Sequence, residues 1–408
     1  MVAANVPLPE VVFFQEGPGL RKWQWTDDGM KVINVTNILG DAAGTVDVTN
    51  TDKFISLVEF EEKYQHFAVE NGDFVVASSG NTYGKVGKVT EQCLPLMMNT
   101  SVVRFHSLNP RRLDNRYLYA FLRSPDFHNQ VERFVIGGAQ PNFGPSHLKK
   151  MTIPLPGIDK QKRIASILSA YDDLIENNRR RIQLLEQAAR LLYKEWFVHL
   201  RFPGHEHTKI HNGLPEGWVK GTVLNLGQIV TGKTPSTKIP ENFGGDIPFV
   251  KTPDMHRSRI IIETEESLSE RGVATQSNKT LPVGTILVAS IGAKLGVVSI
   301  TSSLCQTNQQ INAVIPRKDY MRYYSLFALI DLKPLLEAMG GGATMPNVNK
   351  TKFSSIPLVI PPPILLREFD GIVKTSFQQM QILHEQVSRL TRARDLLLPR
   401  LMNCEVPV

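Results

Sequence analysis

Cysteine is scarce in this chain, and its few cysteines are scattered. Cys93, Cys305 and Cys404 are the three present, and none lies in a Cys-x-x-Cys pair or a Cys/His cluster. This spacing predicts neither a zinc site nor a disulfide framework, and it is typical of a reduced compartment. The chain must therefore fold through ordinary apolar cores, and 408 residues with 42% hydrophobic side chains are enough for two or more domains.

Signals for membrane insertion and secretion are also missing. The most apolar stretch, IPLVIPPPILL, is short and broken by prolines, whereas a membrane-spanning helix needs about 20 apolar residues. The opening residues MVAANVPLPE contain no basic segment ahead of an apolar one, so they predict no signal peptide. We therefore expect a cytoplasmic protein with no membrane partner.

Charge of one sign is nowhere concentrated. The 46 basic and 39 acidic residues give a formal net charge of +7, which suits a polyanionic partner without identifying one. No segment forms a basic tail or a block of like charge. A nucleic-acid interface in this chain would therefore have to consist of local patches on folded domains.

One stretch fits a phosphate-binding motif. GQIVTGKTPS at 227–236 satisfies the pattern G-x-x-x-x-G-K-[ST], in which backbone N–H groups hold phosphates at the start of a helix. Here Pro235, Pro240, Gly244 and Gly245 follow too closely for a helix to form. We therefore predict a loop with coincidental motif spacing rather than a nucleotide site.

The two halves of the chain carry the same series of signals. GDFVVASSGNTYGKVGKV at 72–89 matches GTILVASIGAKLGVVSI at 284–300, and GGAQPN at 137–142 matches GGATMPN at 341–347. Four small residues coincide in the first pair without a gap: Gly72 with Gly284, Ser78 with Ser290, Gly80 with Gly292, and Gly84 with Gly296. A repeat of this length indicates two copies of one domain.

Each copy is predicted to contain both strands and helices. FVVAS, TILVAS, SVVRF and INAVI are rich in β-branched residues and predict strands. RYLYAFLRSPDF and RYYSLFALIDLKPLLEAM have apolar residues at helical spacing. The expected fold class is α+β, with two repeated mixed globular domains.

A long helix is predicted after each copy. The first carries two seams with seven-residue spacing: Ile164, Tyr171, Asn178, Leu185, Leu192, and Leu168, Ile175, Ile182, Ala189, Trp196. The second carries Val373, Met380, Val387, Leu401, interrupted by Arg394, and Ser376, Leu383, Leu390, Leu397. Such spacing predicts a coiled coil, and the alternative is that each helix lies on its own domain. Asn178 either fixes the register of the seam or rotates to its edge.

The order domain, long helix, domain, long helix resembles the specificity subunit of type I restriction-modification systems. The resemblance covers nearly the whole chain, and these segments carry it: LPEGWVKGTVLNLGQIVTGKTPS, GGDIPFVKTPDM, PVGTILVASIGAKLG, GGATMPNVNKTKFSSIPLVIPPP and IPLPGIDKQKRIASILSAYDDLIENNRRRIQLLEQ. Two segments depart from the family pattern. PPPILLREF replaces an acidic-Gln-basic run, and the first domain opens with EGPGLRKWQWTDDG in place of the Gly-Trp of Gly217 and Trp218.

The resemblance implies an architecture. It places target recognition domains at 1–157 and 213–360, and helical spacers at 158–212 and 361–408. The two spacers would pair as an antiparallel coiled coil in a pseudo-twofold arrangement.

The resemblance also implies a function, namely a non-catalytic subunit that binds double-stranded DNA with a bipartite target. The paired helices would set the separation of the half-sites and bind two modification subunits. S-adenosylmethionine would belong to those methyltransferase partners, and ATP and Mg²⁺ to a motor-nuclease subunit that can join, so this chain is expected to hold no cofactor. The sequence agrees, because it contains no Asn-Pro-Pro-aromatic or Asp-Pro-Pro-aromatic tetrapeptide.

Candidate DNA contacts are polar side chains on glycine-bounded turns, since side chains read bases while Lys, hydroxyls and N–H groups hold phosphates. In the first domain these are Ser78, Ser79, Asn81, Thr82, Tyr83, Lys85, Gln140 and Asn142. In the second they are Lys233, Thr234, Ser236, Lys251, Thr252, Asp254, Ser290, Lys294, Asn347, Asn349 and Lys350. For each of them the alternative is an ordinary polar turn residue, and no catalytic or metal-binding residue is expected.

Two other functions remain open from the sequence. Asp52, Glu61 and Lys63 could form the metal site of a stand-alone nuclease, although the second half has no counterpart to them. A coiled-coil scaffold without a DNA role would explain the long helices but not the repeated polar glycine loops.

Overall fold

The computed structural model describes residues 4–39, 44–49, 51–80, 83–135, 142–256, 258–292, 295–340 and 347–408. The chain divides into two compact units, Met1–Asn177 with Val387–Val408, and Asn178–Gln386. Each unit contains one copy of the sequence repeat and a part of both long helices. None of the helices in these ranges combines the length and the apolar character needed to cross a bilayer.

The first unit is built from nine strands, five helices and the end of a sixth, the long helix α11 (Pro363–Met402), among its described residues. The strands are β1 (Ala4–Pro7), β2 (Val12–Glu16), β3 (Met30–Ile33), β4 (Phe54–Ile55), β5 (Phe74–Ala77), β6 (Val86–Lys88), β7 (Leu96–Met98), β8 (Val102–Ser107) and β9 (Thr152–Leu155). The helices are α1 (Leu57–Glu59), α2 (Asn115–Leu122), α3 (Pro125–Val135), α4 (Pro145–Leu148) and α5 (Ile158–Tyr193), the last of which continues into the second unit.

The second unit follows the same plan. Its strands are β10 (Ile210–His211), β11 (Leu214–Pro215), β12 (Val219–Thr222), β13 (Gly227–Thr231), β14 (Phe243–Val250), β15 (Ile260–Ile261), β16 (Glu266–Leu268), β17 (Ile286–Ala289), β18 (Val298–Thr301), β19 (Gln306–Thr307), β20 (Ile311–Pro316) and β21 (Pro357–Ile360). Its helices are α6 (Val223–Leu226), α7 (Glu270–Ala274), α8 (Arg322–Asp331), α9 (Lys333–Gly340), α10 (Lys350–Ser354) and α11 (Pro363–Met402), which ends in the first unit.

The sheets of the two units have corresponding strand orders, and the largest sheet of the second unit has one additional strand. In the first unit the strand orders are β2-β8-β5-β6, β4-β3-β7 and β1-β9. In the second they are β13-β20-β17-β18-β15, β16-β14-β19 and β12-β21, with a separate β10-β11 hairpin. The parallel pair of β3 with β7 corresponds to the parallel pair of β14 with β19. The second parallel pair of the second unit, β15 with β18, corresponds to a single parallel bridge between Thr45 and Lys88 in the first. The predicted α+β class and the predicted repeat are confirmed.

Local sequence explains where the helices of each copy begin and break. The Asp114 carboxylate caps α2 by accepting hydrogen bonds from the backbone N–H groups of Arg116 and Tyr117. The predicted continuous helix then breaks before Pro125, whose missing N–H suits the first turn of α3. In the second copy the break falls at Leu332, just before Pro334 in the first turn of α9.

The repeated glycines also adopt matching backbone conformations. Gly72, Gly80 and Gly84 have φ of 91°, 74° and 77°, and Gly284, Gly292 and Gly296 have φ of 80°, 93° and 81°. This left-handed region is accessible to glycine at little cost. The glycine spacing in the two halves therefore records two copies of one turn structure.

The long helices have the predicted length. Helix α11 spans 40 residues, and α5 spans 36 residues and continues as a π-helical turn at Lys194–Val198. The seam of Leu168, Ile175, Ile182, Ala189 and Trp196 is buried throughout. Asn178 is also buried, and its Nδ2 donates to Gln386 Oε1 at 3.2 Å. Of its two alternatives, the place in the seam is therefore the observed one.

Within each unit the two helices run antiparallel. In the second unit Asn178 meets Gln386, while the Trp196 and Phe369 rings lie 5.9 Å apart. In the first unit Asp172 meets Arg394, and the helices also join the core of the domain. That core unites Val76 and Phe105 of the sheet with Phe121, Ile164, Leu168, Leu398 and Leu401. The helices thus contact each other within each unit and also pack on a domain, while a continuous coiled coil stays a prediction.

Candidate nucleic-acid interface

Five polar turns of the second unit lie at one edge of its sheets. Strands β13 and β17 both end where β20 begins, because Thr231 pairs with Asn312 and Ala289 with Ile311. Strands β14 and β19 end side by side at Val250 and Thr307. The turns at 232–236, 251–254, 290–292 and 308–310 therefore converge, and the segment 347–349 joins them through a bridge between Ile291 and Asn347.

The turn Asn308–Gln309–Gln310 lies at the centre of this edge. Thr234 Oγ1 donates to Gln309 Oε1 at 2.8 Å, and Thr252 Oγ1 donates to Gln310 Oε1 at 3.2 Å. The backbone carbonyl of Gln310 accepts from Ser290 N at 2.8 Å. Hydroxyls and amides of several turns are thus held in one network, which is the kind of surface that reads base edges.

The geometry at 232–236 rules out a phosphate loop. The backbone N–H groups of Gly232 and Lys233 donate to the carbonyls of Ile311 and Thr307 at 3.2 and 2.9 Å, so they are not free to hold a phosphate. No helix follows, because the next regular element is a short 3-10 turn at Pro240–Asn242. The prediction of a loop with coincidental spacing is confirmed.

The first unit contains the same backbone frame with different side chains. Four backbone hydrogen bonds of the first unit have a counterpart in the second. In the first unit they run from Gly17 N to Val102 O, Asn99 N to Ile33 O, Ser78 N to Ser101 O and Phe143 N to Ser78 O. Their counterparts, in the same order, run from Gly232 N to Ile311 O, Asn308 N to Val250 O, Ser290 N to Gln310 O and Val348 N to Ser290 O. The side-chain hydrogen bonds of the first unit differ from those of the second. In the first unit, for example, Asn99 Nδ2 donates to Asn34 Oδ1 at 2.7 Å.

The predicted contact residues fall into groups according to their exposure. Exposed are Lys85, Asn142, Lys233, Ser236, Asn347, Asn349 and Lys350. Half-buried are Ser79, Tyr83, Thr234, Lys251 and Thr252. Buried are Ser78, Asp254 and Ser290. Asn81, Thr82, Gln140 and Lys294 lie outside the described residues.

The buried members of the predicted set hold the turns together instead of lying on their surface. The Asp254 carboxylate accepts from Lys251 N at 2.8 Å and from Glu265 N at 3.1 Å. Ser78 and Ser290 connect their turns through backbone groups, and the Ser290 hydroxyl donates to Val288 O. The predicted DNA contacts of these three residues are therefore corrected, because their side chains are buried. Ser78 supports its turn through its backbone alone, since its hydroxyl has no hydrogen-bond partner among the described residues.

Three further predicted residues have structural partners of their own. Asn349 is exposed but caps α10, because its Oδ1 accepts from Lys352 N at 2.9 Å. The Tyr83 ring packs edge-on against Phe143 with 5.8 Å between centroids. Burial, and to a lesser extent the negative charge of Glu132, raises the pKa of the Tyr83 hydroxyl. Lys251 forms an ion pair with Glu266.

Sequence reasoning missed Gln309 and Gln310, which lie at the centre of the edge. The turn itself could have been located from the repeat. NQQIN at 308–312 aligns with NTSVV at 99–103 when strands β17 and β20 are matched with β5 and β8. It also missed the loop at 17–23, which occupies in the first unit the place of 232–236 in the second.

The residues suggested for a nuclease metal site do not form one in the described parts of the chain. Lys63 pairs with Glu59 at 3.7 Å within one helical turn. Among the residues that the structure describes, no group of three or more His, Cys, Asp and Glu side chains is arranged to hold a metal ion.

Two copies of one frame that display different side chains define a tandem recognition protein. The family profile of the type I restriction modification DNA specificity domain matches residues 5–187 and 215–364. The chain is 30% identical over 331 residues to the type I restriction enzyme HindI specificity subunit of Haemophilus influenzae, covering 66% of this chain and 72% of that one. It is 25% identical over 306 residues to the MjaIX specificity subunit of Methanocaldococcus jannaschii, covering 72% and 69%.

A solved structure shows the same fold. The S subunit of a type I restriction-modification system from M. genitalium matches with a TM-score of 0.58 and 20% identity, over 98% of this chain and 95% of that one. The chain therefore belongs to the type I restriction-modification DNA specificity subunits.

Proposed function

We propose that this chain is a targeting subunit that binds a bipartite double-stranded DNA target, with one half-site read by the polar edge of each unit. The observation that carries the proposal is the recurrence of one backbone frame with different exposed side chains, Lys233 and Gln309 in one copy and Lys85 and Asn142 in the other. A constant frame positions the loops on DNA, while variable side chains select the bases.

The long helices are proposed to bind two methyltransferase subunits, and through them a motor-nuclease subunit. Several large apolar side chains on these helices are more than half exposed: Leu174, Leu184, Leu191, Ile364, Ile372, Ile382 and Leu396. Single exposed apolar side chains are common on protein surfaces, so the proposal rests on the family to which the chain belongs, and these side chains are groups that such partners could bury. Chemistry would then reside in the partners, with S-adenosylmethionine in the methyltransferase and ATP with Mg²⁺ in the motor-nuclease.

Exchanging one recognition domain tests the division of the target. Replacing residues 213–360 by the second domain of another family member should change one half-site and leave the other unchanged, because each frame is complete within its own unit. Methylation sequencing of DNA from cells that carry the complex reads both half-sites at once. The reciprocal exchange of residues 1–157 is the matched control, and a change in both half-sites after either exchange would contradict the proposal.

The purified chain alone should neither hydrolyse ATP nor methylate DNA. The N–H groups that a phosphate loop would use are already bonded to protein carbonyls, so Lys233→Ala should leave background ATP turnover unchanged while weakening DNA binding. Phosphate release and transfer of a labelled methyl group are the two assays. ATP turnover by the pure chain that disappears in Lys233→Ala would refute this assignment.

A further inference from the structure

The loop at residues 17–23 carries a nearly fully exposed tryptophan. Trp23 is 77% exposed, and its neighbours Arg21 and Lys22 are exposed as well. Single exposed apolar residues are common on protein surfaces, so exposure alone assigns no role. The role of Trp23 is inferred from the position of the loop and from the buried side chains that hold it in place.

The loop starts where the loop at 232–236, which is proposed to face DNA, starts in the second copy. Gly17 N donates to Val102 O as Gly232 N donates to Ile311 O. A Cβ on Gly17 would lie 2.2 Å from Asn99 O, and one on Gly232 would lie 2.1 Å from Asn308 O. Both glycines thus press against the carbonyl of a matching asparagine, and the chain leaves the sheet at the same point in each copy.

Buried side chains hold the loop in place. Gln24 is 5% exposed, and its Oε1 accepts from Arg21 N at 2.7 Å. Its Nε2 donates to Glu59 Oε1 at 2.7 Å and to Tyr64 Oη at 3.0 Å. Leu20 and Trp25 pack against an apolar cluster on either side of these bonds. The loop is therefore ordered before binding, and it carries an exposed indole next in sequence to two exposed cationic side chains.

An ordered aromatic ring beside cationic groups fits nucleic acid. The cations hold phosphates, and the ring stacks on a base or wedges against a base step in the groove. The matching loop of the second unit offers Lys233, Ser236 and Lys238 but no aromatic residue, so such a contact would distinguish the two half-sites.

We propose that Trp23 is a DNA-contact residue of the first half-site that stacks on or wedges between bases, with Arg21 and Lys22 holding the adjacent phosphates. This proposal rests on the proposed function of the chain as a DNA-targeting subunit. It assigns to the first domain a mode of recognition that its second copy lacks.

The test uses the full chain in complex with its modification subunits and the target found by methylation sequencing. Trp23→Ala should raise the Kd for that duplex about 5- to 100-fold, the range typical of lost base stacking, and Trp23→Phe should restore most of the affinity. Leu108→Ala is the matched control, because Leu108 is 52% exposed but lies at the opposite end of the β2–β8 pair. Its Kd should stay within about twofold of wild type, as expected of an exposed side chain away from the interface.

Photocrosslinking gives a second readout that a loss of stability could not mimic. Duplexes with 5-iododeoxyuridine at successive thymines should crosslink to the peptide containing Trp23 from the first half-site only. An unchanged Kd for Trp23→Ala, or crosslinks from the second half-site alone, overturns the inference while leaving the proposed function intact. If the wild-type complex prefers no bipartite target, the proposed function and this inference both fail.

Discussion

Replacing Asp172 by asparagine should lower the free energy of unfolding of the first unit by about 3 kcal/mol. Asp172 lies on α5 and accepts from two arginines, with Oδ2 2.8 Å from Arg123 Nη1 and Oδ1 2.8 Å from Arg394 Nη1. The Arg394 side chain is only 3% exposed and that of Arg123 8%. Without the carboxylate, two guanidinium groups stay close together with poor access to water, which is the costly case for a buried charge.

The expected loss lies at the low end for buried ion pairs for two reasons. The Asp172 side chain is 26% exposed, so water screens part of the interaction. Arg394 also keeps Asp395, whose Oδ1 lies 2.8 Å from its Nη2. Arg394→Met should cost less than Asp172→Asn, because Arg123 would still neutralise Asp172 and the methionine would continue the apolar seam.

Amide hydrogen exchange along residues 158–177 measures the loss of stability in the first unit alone. Global denaturation would report both units together and would not resolve the change in one of them. Asp173→Asn is the matched control, since Asp173 is the exposed neighbour on the same helix and should change stability by less than about 0.5 kcal/mol. Equal exchange in the two variants would show that the arginines need no carboxylate partner.

Arg394 also shows where sequence reasoning about the fold reaches its limit. Periodicity predicted both helices, their lengths and most of their seam positions, because burial of one face imposes a seven-residue spacing on the chain itself. In α11 the predicted seam included Ser376 and Leu397, which are half-buried, whereas the adjacent Phe377 and Leu398 are buried. Within those seams Arg394 was an unexplained interruption. Its partner Asp172 lies 222 residues away on the other long helix, and no local pattern in a single sequence specifies such a pairing.

The polar edge of each unit was likewise only partly predictable from the sequence. Glycines with positive φ and β-branched runs located the turns, since those constraints act within a few residues. Exposure of single side chains was not predictable. The backbones of Ser78 and Ser290 bond to residues more than 15 positions away, and the Asp254 carboxylate turns inward to accept from Lys251 N and Glu265 N. The loop at 17–23 shares almost no sequence with 232–236. The two are related by the matching hydrogen bonds of Gly17 N and Gly232 N and by the approach of both glycines to an asparagine carbonyl.

Lengthening both long helices by one heptad should lengthen the unread spacer of the target by about three base pairs. A helix of 40 residues is about 60 Å long, and seven residues add about 10 Å, close to three steps of 3.4 Å in DNA. We propose that the helices act as a ruler between half-sites, so the bases that are read should not change. The antiparallel contacts within each unit support this proposal, because a full heptad keeps every seam residue on its face.

The insertion can be made from the chain's own sequence. A second copy of residues 178–184 placed before Asn178, with a second copy of 380–386 placed after Gln386, repeats the pair in which Asn178 donates to Gln386. One alanine inserted at each of the same two points is the control, since it rotates the following seam by about 100° and should abolish methylation. Three added base pairs also turn one half-site around the duplex by about 100°, so binding of the heptad variant should weaken while DNA twists to compensate. The spacer length read by methylation sequencing is therefore a better measure than the yield, and an active variant with an unchanged spacer would rule out the ruler.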